Sequence, residues 1–365
     1  MQLEFFPSKT LTFYLARLFF VRILAVLVML VLVLMMLDLL SKTGDILAAP
    51  GNGQAELLRY ASLRVPQLIQ SFLPYSVLLA TLITLVALNQ NSEVIAMKAA
   101  GLSAHQVLAP LLLTAGLVAV VSFGFNERVV TRATATLKAW EAVEWGAAPA
   151  HSSVRSNVYL TDGRNVLTAA TITGSGDQIS MKNVTWYERA DGGMIRQEVR
   201  ALSATYSNPG WRLTDTVRFD IATAVTDNPG PLLVGRDLTP DQIELETVDA
   251  DTEPFWELSD SIAAYEAVGR RTSELRAKWW HKLSAPLSAL LMPLLGSIAA
   301  FGLARSGQLF LRAIVGMALG FAYFVVDNAA LAMGNFGGYP PFLAAWAPFL
   351  LFVLIGETVL VRTEE

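Results

Sequence analysis

Between Val65 and Ser92 the chain reads VPQLIQSFLPYSVLLATLITLVALNQNS, 28 residues without one Asp, Glu, Lys or Arg. About 20 mostly apolar helical residues cross the hydrocarbon core of a bilayer, so this stretch predicts a membrane span. Charge-free stretches recur at Gln106–Asn126, Leu283–Ala304 and Asn328–Gly356. Over all 365 residues, 53% are hydrophobic and 16% charged, against about 25% charged in an ordinary globular domain. The deficit excludes a typical soluble enzyme. It predicts an α-helical polytopic membrane protein with six spans, near 11–37, 66–89, 106–126, 283–304, 311–333 and 341–361. They form two groups of three. The first apolar run is long and lacks a convincing small-residue cleavage site, so no cleavable signal peptide is expected.

Between the two groups the text changes. Residues 140–265 carry most of the charge and alternate at period 2, which predicts a half-buried antiparallel sheet. Short strands are expected at Val154–Leu160, Asn165–Ile172, Gln178–Tyr187 and Ile195–Tyr206. On the strand that comes next, Trp211, Leu213, Val217, Phe219 and Ile221 are read as one face, with Asp215 its only polar member. Turn signals separate the strands at Asp162-Gly163, Gly174-Ser175-Gly176, Asp191-Gly192-Gly193 and Asn208-Pro209-Gly210. The expected organisation is 1–139 for the first three spans, 140–265 for an inserted all-β, jelly-roll-like domain, and 266–365 for a connecting helix and the last three spans. Pro254 and Ser259 introduce helical text, and Ser259 and Thr272 are expected to cap two short helices, the second running through Trp279-Trp280, an interfacial aromatic pair, into the fourth span.

Lys9, Arg17 and Arg22 at the first span, with Lys98, Arg305, Arg312 and Arg362, place both termini in the cytoplasm by the positive-inside rule. The β domain then lies on the outer side. So does a basic cluster: Arg128, Arg132 and Lys138 after the third span, and Arg270, Arg271, Arg276, Lys278 and Lys282 before the fourth. Two readings stay open. The cluster pairs with Glu127, Glu141, Glu266 and Glu274, or it forms a collar for an anionic lipid head group.

Catalytic signals are missing. The dipeptide Gly-Lys never occurs, so there is no phosphate-binding loop, and His105, His151 and His281 fall in three separate regions. There is no cysteine, which excludes thiol chemistry, and the net charge of −4 argues against nucleic acid. If the chain does work, a partner or an ion gradient drives it.

The polar interruption after the opening stretch is the most informative segment: Asn89-Gln-Asn-Ser-Glu-Val-Ile-Ala-Met-Lys-Ala-Ala-Gly-Leu-Ser103. It predicts a short cytoplasmic helix, capped by Ser92, with Glu93 in its first turn and Gly101 as its stop. Val94, Ile95, Ala96, Met97 and Ala99 supply an apolar flank. Such a helix is either a plug for a groove on another protein or a turn lying on lipid head groups.

Ser92-Glu93-x-x-x-Met97-x-Ala99-x-Gly101 resembles the coupling helix of the LptF/LptG (YjgP/YjgQ) lipopolysaccharide-export permeases. Further matching segments are Leu37-Asp38-x-x-x-Lys42, Leu238-Thr239-Pro240 and Trp280-x-Lys282-x-x-x-Pro286-Leu287-Ser288. Phe321-x-x-x-Val325-x-Asp327 and Gly338-x-Pro340-Pro341 complete the set. The resemblance covers essentially the whole chain, and its last third looks more like the G type.

The resemblance implies a transport subunit, not an enzyme, paired with an F-type permease (LptF) on a dimeric cytoplasmic ATPase (LptB type). ATP and Mg would be bound by that ATPase and no cofactor by this chain. It further implies lipopolysaccharide as substrate, periplasmic jelly-roll bridge proteins (LptC and LptA types) as partners, and the bacterial inner membrane as location. Ser92, Glu93, Met97, Lys98 and Gly101 would couple to the ATPase. Asp38, Lys42, Arg128, Arg132 and Lys138 would contact lipid head groups; some members carry a basic residue one turn before Asp38, where this chain has Leu34-Met35-Met36.

Asp327 is an ionisable residue inside the fifth span, where such groups are functional by default. An ion-coupled secondary transporter using Asp327 is therefore one alternative, and a non-transporting scaffold with a partner-binding β domain another. Gly316-x-x-x-Gly320 is read as helix packing. Pro286, Pro293, Gly296 and Gly302 would kink or thin the fourth span. The row Leu78, Leu82 and Leu85 is expected to face lipid or acyl chains.

Overall fold

The computed structural model describes residues 6–146, 155–162, 164–174, 179–190, 193–236, 238–240, 248–267, 270–297 and 309–364. The end of the expected fourth span at 298–304, Arg305, Gln178 and parts of three expected turns lie outside these residues. The chain forms two compact units. One comprises Met1–Ser41, Ala61–Ala133 and Pro254–Glu365, the other Lys42–Tyr60 and Thr134–Glu253.

In chain order the helices are α1 (Lys9–Ala48), α2 (Gln54–Gln90), α3 (Glu93–Ala99), α4 (Ala104–Phe125), a π-helical turn (Asn126–Val130) and α5 (Thr131–Ala142). After the strands come α6 (Phe255–Ala267), α7 (Ser273–Gly296), α8 (Leu309–Asn335) and α9 (Pro341–Glu364). Among the described residues, five helical runs are long and apolar enough to cross a membrane: α1, α2, Ala104–Ala142, α8 and α9. The described part of the fourth expected span is the second half of α7, whose first half is polar and carries Arg276, Lys278 and Lys282. Several helices outrun their expected spans. The first continues past Asp38 and Lys42 to Ala48, just before Pro50. Hydropathy marks the stretch that suits a bilayer, whereas backbone hydrogen bonding continues until a breaker intervenes.

Small residues set the packing of the first unit. A Cβ at Gly320 of α8 would collide with Leu78 of α2, and one at Gly316 would lie 3.2 Å from Leu82. Leu78, Leu82 and Leu85 are accordingly 1%, 7% and 0% exposed. They face protein, not lipid, which corrects the reading of that row and bears out packing as the meaning of the glycine pair. Apolar character cannot distinguish the two environments, because a helix neighbour and an acyl chain are equally apolar. Gly334 on α8 has no room either, since an added Cβ would meet the methyl of Ala344 on α9, which has no rotamer to change. Gly334→Ala should destabilise the unit by about 1–3 kcal/mol, read as a lower unfolding midpoint of the purified chain. An unchanged midpoint would show that the two helices can separate freely.

Among its described residues the inserted domain forms one antiparallel sheet of seven strands: β1 (Arg155–Thr161), β2 (Val166–Thr173), β3 (Ser180–Arg189), β4 (Ile195–Ser207), β5 (Gly210–Asp220), β6 (Val225–Asp227) and β7 (Leu232–Val234). The order is β1-β2-β3-β4-β5-β6, with β7 pairing β5 beside β6. This nearest-neighbour meander is the form the expected jelly-roll-like domain takes. Its buried side chains lie on one face and include Leu160, Leu167, Met181, Trp186, Val199, Trp211 and Leu213.

A crease crosses the sheet. Ladder partners are missing for a row of five mutually opposite residues, Asn157, Ala170, Asn183, Leu202 and Asp215. Asn183 and Asp215 have φ of 49° and 55°, a conformation that Asn and Asp tolerate better than other side-chain residues. Across the row, buried positions are three apart instead of two: Ala169 and Ile172, Met181 and Val184, Ala201 and Ala204, Leu213 and Thr216. The single face read from Trp211 to Ile221 is therefore wrong beyond Asp215. Thr216 turns inward, while Val217, Phe219 and Ile221 are 44%, 39% and 47% exposed. Asp215 was the signal. It marks a shift of phase, not a polar exception on a uniform face.

The second unit also holds an aromatic hub. Trp140 and Trp145 meet edge to face at 5.3 Å, Tyr60 packs on Trp145, and the Arg59 guanidinium lies 4.9 Å over Trp140. The side chain of Asn52 donates to the carbonyls of Ile46 and Trp145 at 2.9 and 2.8 Å. The ends of α1, α2 and α5 are thereby joined.

Candidate functional site

The link between α2 and α4 folds as a defined element. Helix α3 is followed by Gly101 at φ +86°, and two bonds close its end, Leu102 N–H to Met97 O at 3.1 Å and Gly101 N–H to Lys98 O at 3.0 Å. That pair is a Schellman stop, which needs a left-handed residue and therefore favours glycine. Val94 and Met97 are buried, while Ile95, Ala96, Lys98 and Ala99 face outward.

The expected cap at Ser92 is not made. Ser92 is itself left-handed at φ 59° and its hydroxyl takes no capping bond. Ser103 caps the next helix in its place, with a reciprocal capping box to Gln106. The pattern Ser103-x-x-Gln106 is a sequence signature of that box and would have located it.

Glu93 is half-buried, and its carboxylate accepts from the Tyr14 hydroxyl of α1 at 3.2 Å and from the Asn91 side chain at 3.4 Å. Close by in sequence, His105 at the start of α4 lies 3.3 Å from Glu357 near the end of α9. The short helix is thus tied to α1 at its first turn and its neighbour α4 to α9, with one side of α3 presented outward.

The charged residues expected at the head-group site are distributed differently. Asp38 meets Arg64 of α2 at 3.2 Å, and Arg64 also donates to Gln67 at 2.6 Å. Arg64 is a basic partner that the sequence reading missed, because the two lie 26 residues apart on neighbouring helices. Lys42 pairs with Glu141 at 3.0 Å and Lys138 with Asp249. Arg128 and Arg132 are exposed. Asp38, Arg128 and Arg132 fall in the first unit, Lys42 and Lys138 in the second. Much of the basic cluster's environment is ion pairing: Arg276 meets Glu266 at 2.6 Å, Lys278 meets Glu274 at 3.4 Å and Lys282 lies 3.9 Å from Glu127.

Asp327 is 7% exposed and its Oδ2 lies 3.0 Å from Nε2 of His281 on α7. Oδ1 and the neighbouring Tyr323 hydroxyl are buried and have no hydrogen-bond partner among the described residues. Separate positions in the sequence therefore hid a pair that the helix packing brings together. Trp279 and Trp280 also find protein partners: Trp279 stacks on Phe255 at 4.6 Å and Trp280 meets Phe342 edge to face at 5.1 Å.

The plan of apolar helices, an antiparallel β insert between the third and fourth expected spans, and a short stopped helix between α2 and α4 matches one family. The family model described as "Lipopolysaccharide export system permease LptF/LptG" matches residues 13–362. The chain belongs to the LptF/LptG family. It is 25% identical over 328 residues to the lipopolysaccharide export system permease protein LptG of Escherichia coli strain K12, covering 87% of this chain and 89% of that protein. It is 24% identical over 312 residues to the LptG of Haemophilus influenzae, with coverage of 84% and 86%. The resemblance carried by the Ser92–Gly101 segment and the later matching segments is thereby confirmed. As an LptF/LptG family member, the chain is a multi-pass membrane protein of the permease type.

Proposed function

We propose that this chain is the G-type permease subunit of an ATP-driven exporter, which takes lipopolysaccharide from the inner membrane and passes it to a periplasmic bridge. The observation that carries the reading is α3: a short helix between two spans, stopped at Gly101, with Glu93 in its first turn and Ile95, Ala96, Lys98 and Ala99 outward. A short amphipathic helix of this kind fits a groove on a partner. ATP and Mg belong to the partner ATPase. Closure of that ATPase moves α3 and, through it, α2 and α4, and the rearranging spans push lipid towards the β domain. In this reading the termini are cytoplasmic and the sheet periplasmic. Asp38 with Arg64, Lys42, Arg128, Arg132 and Lys138 supply charged contacts for phosphorylated head groups, and burial of acyl chains contributes about 0.8 kcal/mol per CH₂. An energy source is required because a lipid held this way must also leave.

Gentle detergent extraction from native membranes tests the reading. Recovery of an ATP-binding subunit together with a second six-span permease supports it. Recovery of neither, under conditions that preserve other membrane complexes, refutes it.

The buried His281–Asp327 pair favours the ion-coupled alternative strongly enough to need its own test. Asp327→Asn keeps the shape and an acceptor for His281. Export reconstituted from the purified assembly should continue at about half the native rate or better, since an isosteric change away from the coupling helix is mild. Loss of transport in Asp327→Asn combined with indifference to Glu93 substitutions would favour ion coupling over ATP coupling.

A further inference from the structure

The chain crosses between its two units four times, at Ser41/Lys42, Tyr60/Ala61, Ala133/Thr134 and Glu253/Pro254. The last two crossings are tied together twice. Within the second unit, Lys138 pairs with Asp249. Within the first, Glu127 receives the backbone N–H of Phe255, the first residue of α6. The opening N–H groups of a helix have no partner inside it, and here a carboxylate from another helix supplies one, with a charge that suits the helix dipole.

Glu127 stands in the five-residue π-helical turn between α4 and α5. Such turns are rare and cluster at functional positions. The extra residue rotates the succeeding helix, α5, by about 100°. The Glu127 side chain is only 13% exposed, and its second oxygen lies 3.9 Å from Nζ of Lys282 on α7, itself 10% exposed. Phe255 is then held from its other side: the Trp279 ring stacks on it at 4.6 Å and the Trp279 indole donates to its carbonyl at 3.2 Å. One carboxylate therefore joins three segments: the exit of the third span, the segment returning from the β domain, and the approach to the fourth span.

We propose that Glu127 is a positioning residue that transmits movement of the spans to the return segment of the β domain, so that lipid delivery stays in step with ATP hydrolysis. The proposal rests on the exporter reading above. It predicts a split between hydrolysis and delivery, which a residue that only stabilises the fold would not produce.

The test uses the whole assembly, purified with its ATPase and placed in proteoliposomes containing lipopolysaccharide, with delivery to a soluble periplasmic acceptor measured beside ATP hydrolysis. Glu127→Ala removes both contacts. Glu127→Gln keeps an acceptor for Phe255 but loses the charge facing Lys282, and Lys282→Gln loses the same charge pair from the other end. For Glu127→Ala, hydrolysis should stay within about twofold while lipid delivered per ATP falls about tenfold, a typical size for lost coupling. The two glutamine variants should fall between it and the native chain. An unchanged ratio in Glu127→Ala overturns the proposal. So does a parallel fall of hydrolysis and delivery in that variant with both glutamine variants native-like, since that pattern marks a purely structural residue. If the native assembly delivers no lipid on ATP addition, the exporter reading fails and the proposal fails with it.

Discussion

Glu93→Lys is expected to lower recovery of the ATP-binding subunit with this permease roughly a hundredfold, the scale of losing a central interface contact. The substitution puts a cation on the first turn of α3, where the helix dipole already disfavours it, and opposite whatever cation the partner groove offers. Glu93 also accepts from Tyr14 at 3.2 Å, so part of any defect could come from release of α3 from α1. Tyr14→Phe separates the two causes. It removes only the hydroxyl, and recovery should then stay within about twofold, as expected for one exposed hydrogen bond. Quantitative co-purification of the three forms decides the matter. Full ATPase recovery with Glu93→Lys would remove α3 as the coupling element, whatever the family pattern implies.

The second large effect concerns the crease. Trp211→Ala should cost about 3–5 kcal/mol, the usual loss for deleting a large buried aromatic. Its ring is fully buried, packs on Tyr206 at 5.3 Å, and donates from Nε1 to the Leu238 carbonyl at 2.9 Å. Phe219→Ala, eight residues along the same strand, should cost about 1 kcal/mol or less, because an exposed side chain has little to lose. A uniform period-2 face would make the two equally damaging. Amide exchange across β4 and β5 in the full chain measures the contrast. Comparable exchange in both variants would mean that the face does not change phase at Asp215.

Composition and hydropathy were enough to identify a polytopic membrane protein, because long charge-free stretches have no other economical fold in a bilayer. Turn residues and period-2 alternation located five long strands to within a few residues, since both signals are local. The stop at Gly101 was equally local and came out as expected. Capping proved less legible: Ser92 is followed by a plausible helix, yet its left-handed backbone points the hydroxyl away, and Ser103 supplies a cap to the next helix. Pro254 marked the start of α6 at Phe255, but the cap read at Ser259 lies four residues inside the helix, and the partner of its first N–H, Glu127, is 128 residues away and could not be read locally.

Taken by itself, the sequence determined the class of protein, the insert between two groups of spans, and the family pattern of α3. Each depends on residue type and spacing along one segment. The partners were decided only by the tertiary structure: Asp38 with Arg64, His281 with Asp327, Glu127 with Phe255 and Lys282, and the leucine row of α2 against the glycines of α8. Charge and apolarity state that a side chain needs a partner, and a one-dimensional pattern cannot say which of many chemically equivalent partners the packing of helices will bring within reach.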